Sequence, residues 1–270
     1  MTLKHLHTSN ILSPARGRHI IYLYDLLREL VARDIKLRYK GSILGVAWSL
    51  LNPLSQLLVF SFIFEYVLPL NIANYSSFLF TGLLAWSWFQ AALFAAATVI
   101  VDGRSLIRRP GFPAAILPIV SVATNLVHFL LALPVLLAFL LLSGIPLKAS
   151  VLLLPALIAL QAAFTVGLAY FVATFHVTFR DTQHLIGVFL LLFFYLTPIF
   201  YDATFVPEQF QSLYHLNPLL HLLDAYRAVL LRGEMPEPEP LLVLACLSTV
   251  LLFLGYRVFL RASYRFVEEL

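Results

Sequence analysis

Long apolar stretches constrain the fold of this chain more than any other feature. Six of them alternate with polar segments, at about residues 43–68, 78–101, 114–142, 151–177, 185–200 and 241–260. A helix needs about 20 mostly apolar residues to cross a bilayer, and its backbone groups must be hydrogen-bonded within the segment. The pattern therefore predicts an all-α membrane protein with six transmembrane helices, 41–265 forming one domain. The fifth stretch is short, because Thr197-Pro198 interrupts it.

Composition and charge exclude several other classes of protein. The chain is 61% hydrophobic and only 12% charged, against about 25% charged in a soluble domain. The net charge of +4 is small and the basic residues are spread over several loops. We interpret them as topology signals and expect no nucleic-acid partner.

The segment before the first apolar stretch predicts a helix at the membrane surface. We expect a flexible cytoplasmic tail over residues 1–19 and an amphipathic interface helix over 20–40. Its apolar stripe comprises Leu23, Leu26, Leu27, Leu30 and Val31. Glu29 with Arg33, and Asp34 with Arg38, have the i,i+4 spacing of helical ion pairs. The alternative is an ordinary surface helix, although no soluble core is available for it to pack on.

Lysine and arginine counts predict the orientation. Fifteen lie in the two terminal regions and the two loops at 102–113 and 176–184, and only three lie on the other side. The positive-inside rule then places both termini in the cytoplasm, including a short tail at 266–270. The proline-rich segment 199–240 would face outward. Its apolar stretch at 218–231 is too short to cross, which favours a re-entrant or interfacial helix.

No catalytic or metal site is expected from the sequence. The chain lacks a P-loop, an H-E-x-x-H motif and a G-x-S-x-G motif. His215 and His221 have no cysteine or suitable ligand spacing near them for zinc. The apolar stretches also carry no relay of acids, histidines and lysines for ion-coupled transport. Energy for any transport would therefore come from a partner protein.

Two groups of aromatic residues have alternative interpretations. The first is Trp86, Trp88 and Phe89 in the second stretch, and the second includes Phe194, Tyr195 and Tyr201. Most aromatics in such a protein belong to interfacial belts or lipid-facing packing. The alternative is that these six residues line a conduit, since aromatic faces stack on sugar rings through weak, non-directional contacts.

Five separate motifs carry a family resemblance. They are RELVARDIKLRYKGSILGVAWSLLNPL at 28–54, the prolines Pro113 and Pro118, FRD at 179–181, YLTPIFY at 195–201 and NPL at 217–219. Over about residues 20–265 the chain resembles the permease subunits of ABC-type polysaccharide exporters, the O-antigen and teichoic acid export permeases. The alternatives are a permease of related drug or small-lipid exporters, a membrane-embedded enzyme, and a passive channel or assembly scaffold.

The resemblance implies an architecture and a set of partners. It implies six spans, an interface helix and two short re-entrant outward helices in a bacterial inner-membrane protein. It also implies a homodimer with two copies of an ATP-binding subunit, which would bind ATP and Mg²⁺, while this chain binds no cofactor and is not an enzyme. The dimer would enclose a channel for a lipid-linked polysaccharide.

The same resemblance implies which residues contact the ATPase. The loop 102–113 corresponds to the coupling helix, and the interface helix also lies against the ATPase. We therefore expect contacts from basic side chains and one acid, although positive-inside charge alone is the alternative explanation for the loops. These residues are Arg28, Arg33, Arg104, Arg108, Arg109, Arg180 and Asp181.

Overall fold

The computed structural model describes residues 14–269, and every regular element in that range is helical. The main helices are α1 (Pro14–Arg38), α2 (Trp48–Ser61, continued by a π-helical segment Phe62–Val67), α3 (Tyr75–Asp102), α4 (Arg104–Ile107), α5 (Ile116–Leu142), α6 (Leu154–Thr178, preceded by a 3₁₀ segment Ala149–Leu153), α7 (Thr182–Leu196), α8 (Glu208–His215), α9 (Pro218–Arg227, continued by a π-helical segment Ala228–Arg232), α10 (Pro238–Ser263) and α11 (Phe266–Glu269). Short 3₁₀ helices lie at Gly45–Ala47 and Ala203–Phe205.

Within the described residues, five helical segments are long and apolar enough to cross a membrane. They are Trp48–Val67, Tyr75–Asp102, Ile116–Leu142, Ala149–Thr178 and Pro238–Ser263. The remaining predicted span corresponds to α7, an apolar helix of 15 residues that ends at Leu196. The chain is thus an all-helical, multi-pass membrane protein.

Helix α3 forms the centre of the bundle. It packs against α2, α5, α6, α7 and α9. Its buried residues lie all around the helix from Tyr75 to Phe89, whereas Gln90, Ala91 and Phe94 are exposed. Because α3 is apolar on all sides, it has no polar face to turn towards water. Alanines at 91, 92 and 95–97 allow its neighbours to approach closely.

Two glycines allow close contact between α6 and α10. A Cβ atom added to Gly255 would lie 2.6 Å from the backbone oxygen of Gly167, and one added to Gly167 would lie 2.9 Å from the backbone of Leu251. Small residues of this kind commonly let membrane helices approach closely.

A second apolar cluster fastens α1 to one end of the bundle, which we refer to as the α1 end. It combines Leu30 with side chains from the ends of α3, α5, α6 and α10 and from α4 and α11: Ile100, Ile107, Ile116, Leu117, Val120, Tyr170, Ala173, Val177, Phe259 and Phe266. The apolar stripe of α1, including Leu23, Leu26, Leu27 and Val31, packs against it. The predicted amphipathic stripe therefore faces protein in this structure.

Several boundaries and contacts near the termini differ from the prediction. Helix α1 begins at Pro14, so residues 14–19 are helical rather than part of a tail, and residues 1–13 lie outside the described range. The predicted tail from residue 266 instead forms α11, which is anchored because Phe266 is buried in the α1-end cluster.

The predicted i,i+4 ion pairs on α1 were wrong. Arg33 binds the adjacent Asp34, with 2.9 Å between Nη2 and Oδ1. Arg38 instead reaches residues of α5. The tertiary contacts outweigh the local pairs, which contribute only about 0.2–0.5 kcal/mol each.

Candidate functional site

The seven residues predicted to contact an ATPase all lie at the α1 end. Arg28 and Arg33 are on α1, Arg104 is on α4, Arg108 and Arg109 follow α4, and Arg180 and Asp181 join α6 to α7. All are exposed except Arg33, which is half-buried and paired with Asp34. The α1-end cluster holds the elements that carry them in one compact group.

Helix α4 is held against the bundle by its neighbours. Gly103 permits the tight turn after α3, because a Cβ atom there would lie 2.8 Å from both the Leu117 side chain and the Val99 oxygen. Ile107 is buried in the α1-end cluster. Since Arg108 and Arg109 follow it on the exposed side, a force on these arginines would act on the bundle through α4.

Three of the aromatics predicted to line a conduit are buried inside the protomer. Trp86, Trp88 and Phe89 are only 1 to 3% exposed inside the protomer. Trp88 Nε1 donates to the Val122 oxygen at 3.3 Å, and the rings of Trp88 and Phe89 pack on Phe129 and Phe164. They are core residues because neighbouring helices enclose the first half of α3.

The other three predicted conduit residues belong to an aromatic cluster at the end of α7. Phe194 and Phe200 stack with Phe60 at ring distances of 6.0 and 5.8 Å. The Tyr201 hydroxyl donates to the Tyr195 oxygen at 2.9 Å, and the Tyr195 ring is 54% exposed. The cluster therefore fixes the break after α7, and Tyr195 offers the most accessible surface of the three.

Helix α2 has an unusual surface for a membrane span. Only Pro53 and Leu57 of its α-helical part are buried. Apolar side chains such as Leu58 and Phe62 are exposed, but so are the polar residues Asn52 and Ser55. Polar side chains in the membrane normally face protein or water rather than lipid. Part of the α2 surface is therefore unsuited to lipid.

The structure also reveals a polar network that joins α1 to α5. Arg38 Nη1 donates to Asn125 Oδ1 at 3.0 Å and lies 3.3 Å from His128 Nδ1. The Tyr39 hydroxyl lies 3.1 Å from His128 Nε2. Asn125 and His128 are buried, and Asn125 Nδ2 donates to the Ser121 oxygen at 2.8 Å. The network ties the last turn of α1 to two buried side chains of α5.

Comparison with known proteins shows the family of this chain. The family model for ABC-2 type transporters matches residues 25–231. This chain belongs to the ABC-2 type transporter family. The resemblance in the sequence motifs is therefore confirmed.

Three relatives of this ABC-2 transporter chain match it over nearly its whole length. The O-antigen export system permease protein RfbA of Myxococcus xanthus is 39% identical over 253 residues, which cover 93% of this chain and 97% of the relative. RfbA of Klebsiella pneumoniae is 33% identical over 250 residues, covering 92% and 96%. The polysialic acid transport protein KpsM of Escherichia coli is 28% identical over 250 residues, covering 89% and 92%.

A buried arginine at the opposite end of this ABC-2 transporter chain was also missed in the sequence. Arg227 Nη1 and Nη2 donate to the oxygens of Pro198 and Ile199, both at 2.9 Å, and the guanidinium lies 3.5 Å from the centre of the Phe78 ring. Burial lowers the pKa of Arg227 to about 9, which leaves it charged at neutral pH. It therefore joins α9 to the break after α7 and to α3.

The described part of this ABC-2 transporter chain contains no group of three or more His, Cys, Asp or Glu side chains that could hold a metal ion. The basic surface of the α1 end, the exposed α2 face and the Arg38 network are therefore candidate sites for binding rather than for metal chemistry.

Proposed function

We propose that this chain is the membrane subunit of an ATP-driven exporter that moves a lipid-linked polysaccharide out of the cytoplasm. The observation that carries the proposal is the identity of 33 to 39% with proteins named as O-antigen export permeases, over at least 92% of this chain. The more distant similarity to a polysialic acid transport protein supports a polysaccharide substrate more generally. The chain would act in the inner membrane of a bacterium.

Two copies of a separate ATP-binding subunit would drive the transport, with ATP and Mg²⁺ bound on that subunit. This chain has no P-loop motif of its own. The basic surface of the α1 end is the proposed docking site, because Arg108 and Arg109 follow a short helix that is anchored in the bundle by Ile107. Movement of α4 would then be transmitted to α1, α5 and α10 through the α1-end cluster.

Two copies of this chain would form the channel. The support is the surface of α2, where exposed Asn52 and Ser55 suit a water-filled path better than lipid. Helix α7 exposes apolar side chains including Val188, Leu192 and Tyr195. A homodimer that faces α2 and α7 inward would cover these surfaces and give Tyr195 access to the glycan.

The proposed topology has six spans, with α7 as a short fifth span and with α8 and α9 as re-entrant helices. Both termini would be cytoplasmic, so the α1 end would face the cytoplasm and the segment 199–240 would face outward. The support is the distribution of fifteen Lys and Arg residues on one side and three on the other.

Deletion of the gene tests the proposed function. We expect one surface polysaccharide to be lost and its lipid-linked form to accumulate inside the cell, with both restored by the wild-type gene. Purification of the tagged chain from the complemented strain should recover a P-loop ATPase in equal amount. A normal set of surface polysaccharides in the deletion strain would refute the proposal.

A further inference from the structure

A cavity of about 150 Å³ lies beside the Arg38 network. It is formed by the last turn of α1, the first two turns of α2 and the middle of α3 and α5. Its lining includes Arg38, Trp48, Asn52, Trp88 and His128. A cavity needs about 10–15 Å³ of such volume to hold one water, so this cavity has room for a phosphate group.

The hydrogen bonds of the network fix the protonation of His128. An arginine can only donate, so His128 Nδ1 must accept from Arg38 Nη1. The neutral imidazole then carries its proton on Nε2, which donates to the Tyr39 oxygen. The hydroxyl proton of Tyr39 is consequently left to bond to another group.

The same bonds orient the guanidinium of Arg38. Its Nη1 is held by Asn125 and His128, and Asn125 is itself fixed by the Ser121 oxygen. Within the described residues, Arg38 Nε and Nη2 make no hydrogen bond, and the side chain is exposed. One edge of a positioned guanidinium therefore remains available, which is the geometry that binds phosphate through two parallel bonds.

The available groups favour a phosphate over a sugar. No carboxylate belongs to the described residues that line the cavity. The free edge of Arg38 and the indole N–H of Trp48 can only donate. Asn52 and Ser87 also line the cavity and carry oxygens that can accept from a sugar hydroxyl. The positive charge of Arg38, with no carboxylate in the lining, is therefore what favours a phosphate.

The surroundings indicate that the phosphate belongs to a lipid. Trp48, which lines the cavity, is 56% exposed. The surface of α2 continues from there through exposed apolar side chains, including Leu51, Leu58 and Phe62. Ser55 lies on the same helix face as these side chains, so a head group in the cavity would leave its acyl or prenyl tail against a mainly apolar face.

We propose that the cavity beside Arg38 binds the phosphate or diphosphate head of the lipid that carries the polysaccharide. Arg38 would contact the phosphate oxygens, and Asn125 and His128 would position Arg38. Tyr39 would act indirectly by orienting His128. This assignment rests on the proposed function for the identity of the lipid.

Binding of farnesyl diphosphate to the full-length chain in detergent tests the proposal. The chain has three tryptophans, and Trp48 and Trp88 line the cavity, so tryptophan fluorescence should report occupancy. Farnesol supplies the same tail without phosphate and should bind at least 10-fold more weakly. Phosphatidylglycerol micelles supply phosphate from an ordinary membrane lipid.

Variants of the network separate binding from folding. Arg38→Gln should weaken farnesyl diphosphate binding by about 10-fold or more, because it removes charge-assisted hydrogen bonds. Arg38→Lys should give an intermediate affinity, and Tyr39→Phe should weaken binding by about 2- to 10-fold. The matched control is Lys40→Gln, which removes the same charge from an exposed neighbour outside the cavity and should change the affinity by less than twofold.

The outcomes are distinct. Weaker diphosphate binding in Arg38→Gln, with farnesol binding and helical content unchanged, supports the site. Equal binding in Arg38→Gln and wild type overturns it. Equal affinity for phosphatidylglycerol and farnesyl diphosphate, both reduced by Arg38→Gln, would overturn the assignment to the glycan carrier. Because the assay measures no transport, a failure of the proposed function would instead be seen in the deletion strain, whatever the binding result.

Discussion

Replacement of Gly255 with alanine should force α6 and α10 apart. The added Cβ atom would lie 2.6 Å from the Gly167 oxygen and 3.1 Å from the Tyr170 Cβ. Neither atom is the end of a flexible side chain, so the strain cannot be relieved by a rotamer change. The two helices must shift along their contact.

The expected loss of stability follows from two opposing terms. Overpacking of a tight contact costs about 1–3 kcal/mol, and a backbone clash at 2.6 Å belongs at the upper end of that range. Because alanine has a higher helix propensity than glycine, the substitution also stabilises the helix by up to about 1 kcal/mol. The net loss is therefore about 2 kcal/mol, which corresponds to a fall in Tm of roughly 4–8 °C.

Gly187→Ala provides the matched control, because Gly187 also lies within an apolar helix. The nearest atom to its added Cβ is Phe94 Cε2 at 3.7 Å, an ordinary contact. This variant should keep or slightly raise the Tm. Thermal unfolding of both full-length variants in the same detergent, followed by tryptophan fluorescence, makes the comparison. If the two variants had the same Tm, the close α6–α10 contact would not limit stability and the reasoning would be refuted.

Three further predictions concern transport and the end of the bundle opposite the α1 end. The double variant Arg108→Glu and Arg109→Glu should lower export roughly 10-fold, which is within the usual range of coupling between sites. The reconstituted complex should still hydrolyse ATP. Normal amounts of surface polysaccharide would contradict the docking role. Tyr195→Ala should reduce surface polysaccharide while the chain still folds, whereas Phe253→Ala, at an exposed aromatic of α10, should leave surface polysaccharide unchanged. Arg227→Lys should lower the free energy of unfolding by about 1.5–3 kcal/mol, because an ammonium group cannot bond two carbonyls and stack on a ring as the planar guanidinium does. An unchanged Tm would show that the two hydrogen bonds to carbonyl oxygens do not contribute to stability.

The spans could be predicted because lipid imposes one simple rule on the sequence. Backbone groups in hydrocarbon must be bonded within a helix, so apolar length alone located α3, α5, α6 and α10 to within a few residues. No comparable pattern in the sequence predicts where each helix lies within the bundle. Helix α3 is apolar on nearly every side, and its sequence therefore could not reveal that Trp86 and Trp88 are buried inside the protomer.

The basic residues at the α1 end could be grouped from the sequence because consecutive spans reverse direction. Loops two spans apart return to the same end, so the order of the spans predicts that Arg108 and Arg180 lie near α1. No such rule predicts the contacts of Arg38 and Arg227. Arg38 meets His128 across 90 residues of sequence, and Arg227 meets Pro198 across 29. Asn125 and His128 stood out as polar residues in a span, but their partner depended on the packing of α1.

The position of Arg38 on α1 links the two proposed sites. Arg28 and Arg38 lie about 15 Å apart on one continuous helix, at 1.5 Å per residue. An ATPase that moves the Arg28 end must either carry Arg38 and Tyr39 with it or bend α1. Movement of Arg38 would strain its bonds to Asn125 and His128, and so alter the phosphate site. Because coupling between binding sites is reciprocal, a lipid phosphate held by Arg38 would in turn favour one position of α1 and change the affinity of the α1 end for the ATPase.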